Sequence, residues 1–219
     1  MSSKQRGPCS IAEPEAGQRD RDLVRLYWPV ALRPAFDVLL GIDDAMGRVV
    51  ATSTQPALGA IRLAWWRDAL NRLDQAPPPA EPMLKTAAEE LLPRGVSGAA
   101  LGRIAEGWGA LFDEVHDLAA IAARGVSLFA AGAILLGAED ARLAVAGRYF
   151  ALADVTRRRL APLPGVPVER LRFARSLRPL TALACLAARD LVHGEPFEPE
   201  ATPGRALALM AHRWTGRIS

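Results

Sequence analysis

Two adjacent aspartates in an otherwise apolar stretch, Asp43 and Asp44, are the first residues of this sequence whose type suits chemistry. Carboxylate oxygens are the ligands that Mg²⁺ prefers, and one or two carboxylates together with a substrate phosphate can hold the ion. A third acid, Asp154, lies in a second apolar stretch far along the chain. We predict that Asp43, Asp44 and Asp154 are candidate metal ligands.

The positions one helical turn beyond these aspartates carry no further acid. Gly47 and Arg48 stand four positions after the two aspartates of the pair, and Arg158 stands four after the third. Residues four apart share one face of a helix, so the two arginines lie beside the acids that precede them. We predict that they form helix ion pairs with these acids or neutralise a bound anion such as a phosphate.

The segment from Ile61 to Leu70 adds aromatic and basic candidates. Tryptophans suit an apolar substrate chain, but aromatic residues at helical spacing are more often core. Arginines offer forked donors to a diphosphate, but they are equally ordinary on a solvated helix surface. With those alternatives open, we predict the substrate-binding set Arg48, Arg62, Trp65, Trp66, Arg67 and Arg158.

Apolar residues recur at helical spacing along the chain, and no segment shows the period-two alternation or the hairpin turns of a β-sheet. Ser97 and Asp117 stand where they can cap the helices that follow them. Prolines and glycines separate the periodic segments. The pattern predicts a single all-α bundle of about eight helices.

The segment that carries the two tryptophans has apolar residues on two faces. One stripe is Leu58, Ile61, Trp65 and Ala69, and the other is Leu63, Trp66, Leu70 and Leu73. A helix that is apolar on two faces is buried on both. We therefore expect this helix to be central.

Composition bounds the class of protein. Half of the 219 residues are hydrophobic, so the chain is globular. Residues 1–19 contain no apolar block, so we expect a disordered tail and neither a secretory signal nor a membrane anchor. Residues 20–219 are assigned to one domain. The run from Val126 to Ala138 is too short to cross a bilayer and predicts a buried helix.

Charge and cysteine content limit the classes of partner and the cellular location that the sequence suggests. The net charge is +3, and arginine is concentrated after residue 156. That end can face phosphates or a membrane, but without a recognition motif we expect no nucleic-acid partner. Cys9 and Cys185 are the two cysteines, which predicts a cytoplasmic location without a disulfide framework, at most peripheral to a membrane.

Known catalytic motifs of other classes are missing from the sequence. There is no phosphate-binding loop, no nucleophile elbow and no zinc-protease helix. The acidic cluster at 113–117 includes His116, but no second histidine or cysteine stands at ligand spacing. We interpret this cluster as a solvated turn between helices.

The order of these features resembles the squalene/phytoene synthase family, over roughly Asp20 to Leu191. The segments that carry the resemblance are Arg33 to Asp44, Pro56 to Leu70, Arg124 to Gly137 and Ala146 to Arg158. The resemblance implies an isoprenoid-synthase-like helical bundle with a central apolar cavity. It also implies Mg²⁺ as cofactor and prenyl diphosphates as substrates, condensed head to head.

The incomplete aspartate motifs resemble a degenerate branch of that family, which includes the complex I assembly factor with a phytoene-synthase domain. The first function this implies is a protein of isoprenoid biosynthesis that has lost or reduced metal-dependent catalysis but keeps a prenyl-lipid pocket. The second is an active magnesium-dependent prenyltransferase. The third is a non-enzymatic helical assembly protein with a protein or peripheral membrane partner. All three remain open on the sequence.

Overall fold

The computed structural model describes residues 18–218, and within them the chain is all-α apart from one short ribbon, as the sequence predicts. Nine helices follow one another in this part of the chain: α1 Gln18–Arg25, α2 Arg33–Thr52, α3 Pro56–Arg72, α4 Pro82–Glu90, α5 Gly98–Gly109, α6 Leu118–Leu136, α7 Leu143–Arg157, α8 Arg178–His193 and α9 Pro203–Thr215. The predicted tail and Cys9 lie outside the described residues, except that Gln18 and Arg19 form the start of α1.

The helices begin at the residues that local chemistry favours. The side chain of Ser97 accepts a hydrogen bond from the backbone N–H of Ala100, and that of Asp117 accepts two from the first turn of α6. Both predicted caps are confirmed. The acidic cluster at 113–117 lies between α5 and α6, outside both helices, as expected of a turn.

The core is organised around α6, which packs on α5 and most extensively on α7, and α7 in turn packs on α8. The backbones of α6 and α7 touch where Gly125 meets Gly147. A methyl group on Gly125 would lie 1.9 Å from the carbonyl oxygen of Gly147, so only glycine fits this crossing. This close approach fixes the position of the residues on either side of Gly125, including Arg124.

Helix α6 is longer than the predicted run 126–138. Among the described residues it is the one helix long and apolar enough to cross a membrane, and just over half of its apolar window is buried in the protein. A core helix of a folded domain has the same composition. Length and composition alone therefore do not separate the two roles.

The expectation that α3 is buried on two faces is wrong. The stripe with Leu63 and Leu70 is buried against α5, but Leu58, Ile61 and Trp65 are 54%, 65% and 44% exposed. Among residues 18–218, only one side of α3 meets other helices, because α3 packs at the edge of the bundle. The stripe that contains Leu58, Ile61 and Trp65 remains in contact with solvent.

A two-stranded antiparallel ribbon closes the C-terminal part of the fold, pairing β1 (Leu171–Arg172) with β2 (Arg217–Ile218). The sequence analysis did not predict it, since two residues per strand are too few to show an alternating pattern. The ribbon ties the segment between α7 and α8 to the end of α9. Its apolar pair, Leu171 and Ile218, is buried.

Candidate functional site

Asp43 is completely buried in the middle of α2 and accepts hydrogen bonds from two other helices. Both of its carboxylate oxygens lie 3.0 Å from Nη1 of Arg124 on α6. One of them also accepts from Nε1 of Trp108 on α5, at 2.9 Å. The guanidinium of Arg124 stacks 4.0 Å from the centre of the Trp108 ring, so the cation is held by an anion and by an aromatic face.

Asp154 on α7 receives the other end of the same guanidinium. Nη2 of Arg124 donates to Asp154 at 2.9 Å and to the carbonyl oxygen of Ala151 at 3.2 Å. One turn later, Nε of Arg158 donates to both oxygens of Asp154, at 3.0 and 3.1 Å. The expected helix ion pair between Asp154 and Arg158 is therefore present.

Asp44 completes the cluster. It accepts from Nη2 of Arg158 at 2.5 Å and from Nη1 of Arg21 on α1. Nη2 of Arg21 also lies 3.5 Å from Asp154. Three aspartates and three arginines, from α1, α2, α6 and α7, thus share one buried network of balanced charge, which we call the arginine–aspartate centre.

The glycine one turn after Asp43 has a steric role in this centre. A methyl group on Gly47 would lie 2.9 Å from the Trp108 ring and 3.1 Å from Nη1 of Arg158. A carboxylate side chain at this position would collide with both groups. The absence of an acid there is thus built into the packing of the centre.

The structure brings together Asp43, Asp44, Asp154 and Arg158, four residues that the sequence analysis selected. It does not bring the other five substrate-binding candidates to the centre: Arg62, Trp65 and Arg67 lie on the exposed face of α3, Trp66 is half-buried beside them, and Arg48 is exposed on α2. Arg67 pairs with its neighbour Asp68 on the exposed face of α3.

Two members of the centre, Arg21 and Arg124, are not among the residues predicted from the sequence. A charged residue in the strongly apolar sequence of α6 was a signal for Arg124, because a buried charge requires a partner. No signal indicated Arg21, which lies in a short helix of mostly charged residues. Its burial depends on α1 packing across the end of the centre.

Burial and ion pairing act in opposite directions on the three acids. Complete burial raises the pKa of Asp43 although Arg124 opposes it. Burial would also raise the pKa of Asp154, but Arg158, Arg124 and Arg21 together hold it well below its usual range. Arg21 and Arg158 likewise keep the pKa of Asp44 low against its burial. At neutral pH Asp154 and Asp44 are therefore anionic.

Mg²⁺ does not fit this arrangement. The oxygens of Asp43, Asp44 and Asp154 already accept N–H donors, and guanidinium groups occupy the space between the carboxylates. Arginine cannot lose its charge at physiological pH, so a divalent cation here would meet three fixed positive charges. Among residues 18–218, no group of three or more acidic, histidine or cysteine side chains is placed to hold a metal ion.

A second buried network adjoins the first. Arg205 on α9 pairs with Asp190 on α8 at 2.6 Å and with Asp20 at 2.7 Å, and Arg157 also donates to Asp190, at 2.5 and 2.7 Å. Between the two networks lies a cavity of about 50 Å³, with Phe150 among its apolar lining residues. A cavity of this volume has room for a few water molecules.

Comparison with known proteins gives no family model, no curated protein and no solved structure that matches this chain. The resemblance to squalene/phytoene synthases therefore depends on the sequence motifs alone.

Proposed function

We propose that this chain is a squalene/phytoene synthase-like protein that does not ionise prenyl diphosphates and that acts by binding a partner, as a helical assembly protein. The observation that carries the proposal is the position of Arg124. Its guanidinium links Asp43 to Asp154, where the family resemblance implies that magnesium would link the two aspartate motifs. Fixed arginines replace the exchangeable metal.

Ionisation of an allylic diphosphate needs a dense positive charge that can follow the leaving group. The three arginines of the centre are committed to the three aspartates by charge-assisted hydrogen bonds, which are the strong class of protein hydrogen bonds. Releasing one of them toward a substrate would leave a buried carboxylate without its partner. The centre supports the fold and is poorly suited to turnover.

The internal space supports the same proposal. Pockets for drug-sized ligands have volumes of about 300–1,000 Å³, several times the 50 Å³ cavity beside the centre. A prenyl chain cannot enter that cavity without opening the packing of α7 and α8. We infer that the interior does not serve as the prenyl pocket that the sequence analysis expected.

A surface groove favours isoprenoid-lipid binding as a second candidate function. The groove lies along α6, the loop at 137–141 and the first residues of α7. It has a volume of about 900 Å³ and is lined mainly by apolar residues, including Val126, Ile134 and Leu143. Its charged lining residues are the acids Glu139 and Asp140. Arg142 pairs with Asp140, whereas Glu139 is exposed and repels a diphosphate, so the groove suits an isoprenoid with an uncharged head group.

Incubation of the purified chain with farnesyl or geranylgeranyl diphosphate, Mg²⁺ and NADPH tests the proposal. We expect no release of diphosphate above a protein-free control, and no change in melting temperature between Mg²⁺ and EDTA. Turnover that disappears in the Asp43→Asn variant would contradict the proposal and restore the active prenyltransferase. A neutral isoprenoid that binds wild type but not Ile134→Glu would support the second candidate function.

A further inference from the structure

A basic hollow of about 400 Å³ lies where the first turn of α8 meets the last turn of α9. Its lining residues are Tyr27, Arg175, Arg178, Pro179, Arg213 and Trp214, and we call this site the arginine hollow. None of these six residues is acidic. The hollow therefore presents three cations without a carboxylate in its lining.

Neutral groups hold two of these cations in place. Nη1 of Arg178 donates to the carbonyl oxygens of Arg213 and Trp214, at 2.8 and 2.9 Å. The guanidinium of Arg213 lies 4.7 Å from the centre of the Tyr27 ring. Carbonyl and aromatic partners orient an arginine without cancelling its charge. The positive end of the α8 dipole, which begins at Arg178, opposes the negative end of the α9 dipole at the carbonyls that Arg178 caps, so the three guanidinium groups determine the sign of the potential.

The β1–β2 ribbon extends the basic surface. Its register places Arg172 directly opposite Arg217, and like charges in that position destabilise a ladder. Both arginines and Arg170 line an adjoining hollow of about 450 Å³. Capping of the last carbonyls of α9 accounts for Arg178 and Arg172, whose Nε lies 3.2 Å from the oxygen of Thr215. Such capping does not account for Arg170 and Arg217.

Exposed apolar side chains lie next to these cations. Trp214 is 76% exposed, and Leu207 and Met210 precede it on the outward side of α9. The segment after α1 exposes Leu26 and Val30, on either side of the tyrosine of the hollow. A helix with an apolar outer stripe that ends in tryptophan and arginine has the composition of an interfacial membrane helix.

We propose that the arginine hollow and the outer stripe of α9 bind the surface of an anionic phospholipid membrane. Phosphate head groups meet Arg175 and Arg213, and Trp214 enters the interfacial layer of the bilayer. A free phosphate or diphosphate would use the arginines but leave Trp214, Met210 and Leu207 in water. The combination of charge and exposed apolar surface favours a phosphate carried by a lipid head group over a free phosphate. This inference does not depend on the arginine–aspartate centre.

Co-flotation of the full chain with lipid vesicles tests the proposal. We expect binding to phosphatidylcholine vesicles that contain about 30% phosphatidylglycerol, weakened by salt, and little binding to phosphatidylcholine alone. The double variant Arg175→Gln, Arg213→Gln should bind about 25-fold more weakly, at about fivefold for each arginine. Trp214→Ala should reduce binding about tenfold. All three side chains are exposed, so circular dichroism should show that these variants keep the fold.

The other exposed apolar helix provides a matched control. Arg62→Gln with Arg67→Gln, and separately Trp65→Ala, make the same changes of charge and aromatic area on α3. These variants should bind within about twofold of wild type, since binding is local to the hollow and not a property of net charge.

Four outcomes would overturn the proposal. Equal losses in the α3 variants would mean that net charge or α3 directs binding. Loss with the arginine variants but not with Trp214→Ala, together with competition by inorganic diphosphate, would identify a soluble anion site. Equal affinity for duplex DNA, or a dimer that Trp214→Ala dissociates, would assign the surface to another macromolecule.

Discussion

Removing the Arg124 guanidinium is the most direct test of what the arginine–aspartate centre does. Arg124→Met keeps an unbranched apolar stem of similar length but deletes both hydrogen bonds to Asp43, one to Asp154 and one to the Ala151 carbonyl. Asp43 would then retain only the Trp108 donor while completely buried. Breaking a buried pair in this way costs about 3–5 kcal/mol of unfolding free energy.

The variant should also acquire a characteristic pH dependence. Without Arg124, burial raises the pKa of Asp43 further, so the folded protein binds a proton that the unfolded chain releases near pH 4. A group whose pKa is raised in the folded state stabilises that state at low pH, and this stabilisation is lost as the pH rises through the folded-state pKa. Between pH 5 and 8, stability of the variant should fall with rising pH, by up to about 1.4 kcal/mol per unit.

Urea unfolding followed by circular dichroism measures both effects. Arg67→Met, on the exposed face of α3, is the matched control and should change stability by about 0.5 kcal/mol or less. Adding Asp43→Asn to Arg124→Met should cost less than the sum of the single changes, with a coupling of about 1–3 kcal/mol. A loss below about 1 kcal/mol with an unchanged pH profile would refute the structural role of the centre.

Three further predictions concern packing, thiol reactivity and pH. Gly125→Ala should lower the unfolding free energy by several kcal/mol, because its methyl group clashes with the α7 backbone. Gly109→Ala has open space around it and should be neutral or stabilising, and thermal unfolding would compare the two variants. Burial raises the pKa of Cys185 to about 11, so about a thousandth of this thiol is ionised at pH 8. In a Cys9→Ser background a disulfide reagent should therefore label the folded protein slowly, and rapid labelling would contradict this. Burial lowers the pKa of His212, so stability should fall as pH drops below about 6.5, by up to about 1.4 kcal/mol per unit, and His212→Gln should flatten that slope in denaturation measurements.

The sequence by itself determined the helical class and many local details. Apolar spacing indicates α-helices, and the caps at Ser97 and Asp117 depend on neighbours within three residues, so both could be predicted without a tertiary structure. The pairing of Asp154 with Arg158 has the same origin, since the two lie one turn apart on α7. Interactions of this range are encoded within a single helix.

Only the tertiary structure decided which faces are buried and which charges meet. Helix α3 has two apolar stripes, but the packing of α5 covers one of them and leaves Trp65 exposed. Arg124 reaches Asp43 on α2 across 81 positions of sequence. It also reaches Asp154 on α7, because Gly125 lets α6 and α7 touch. A buried charge must find its partner wherever the fold places one, and helical periodicity carries no information about that distance.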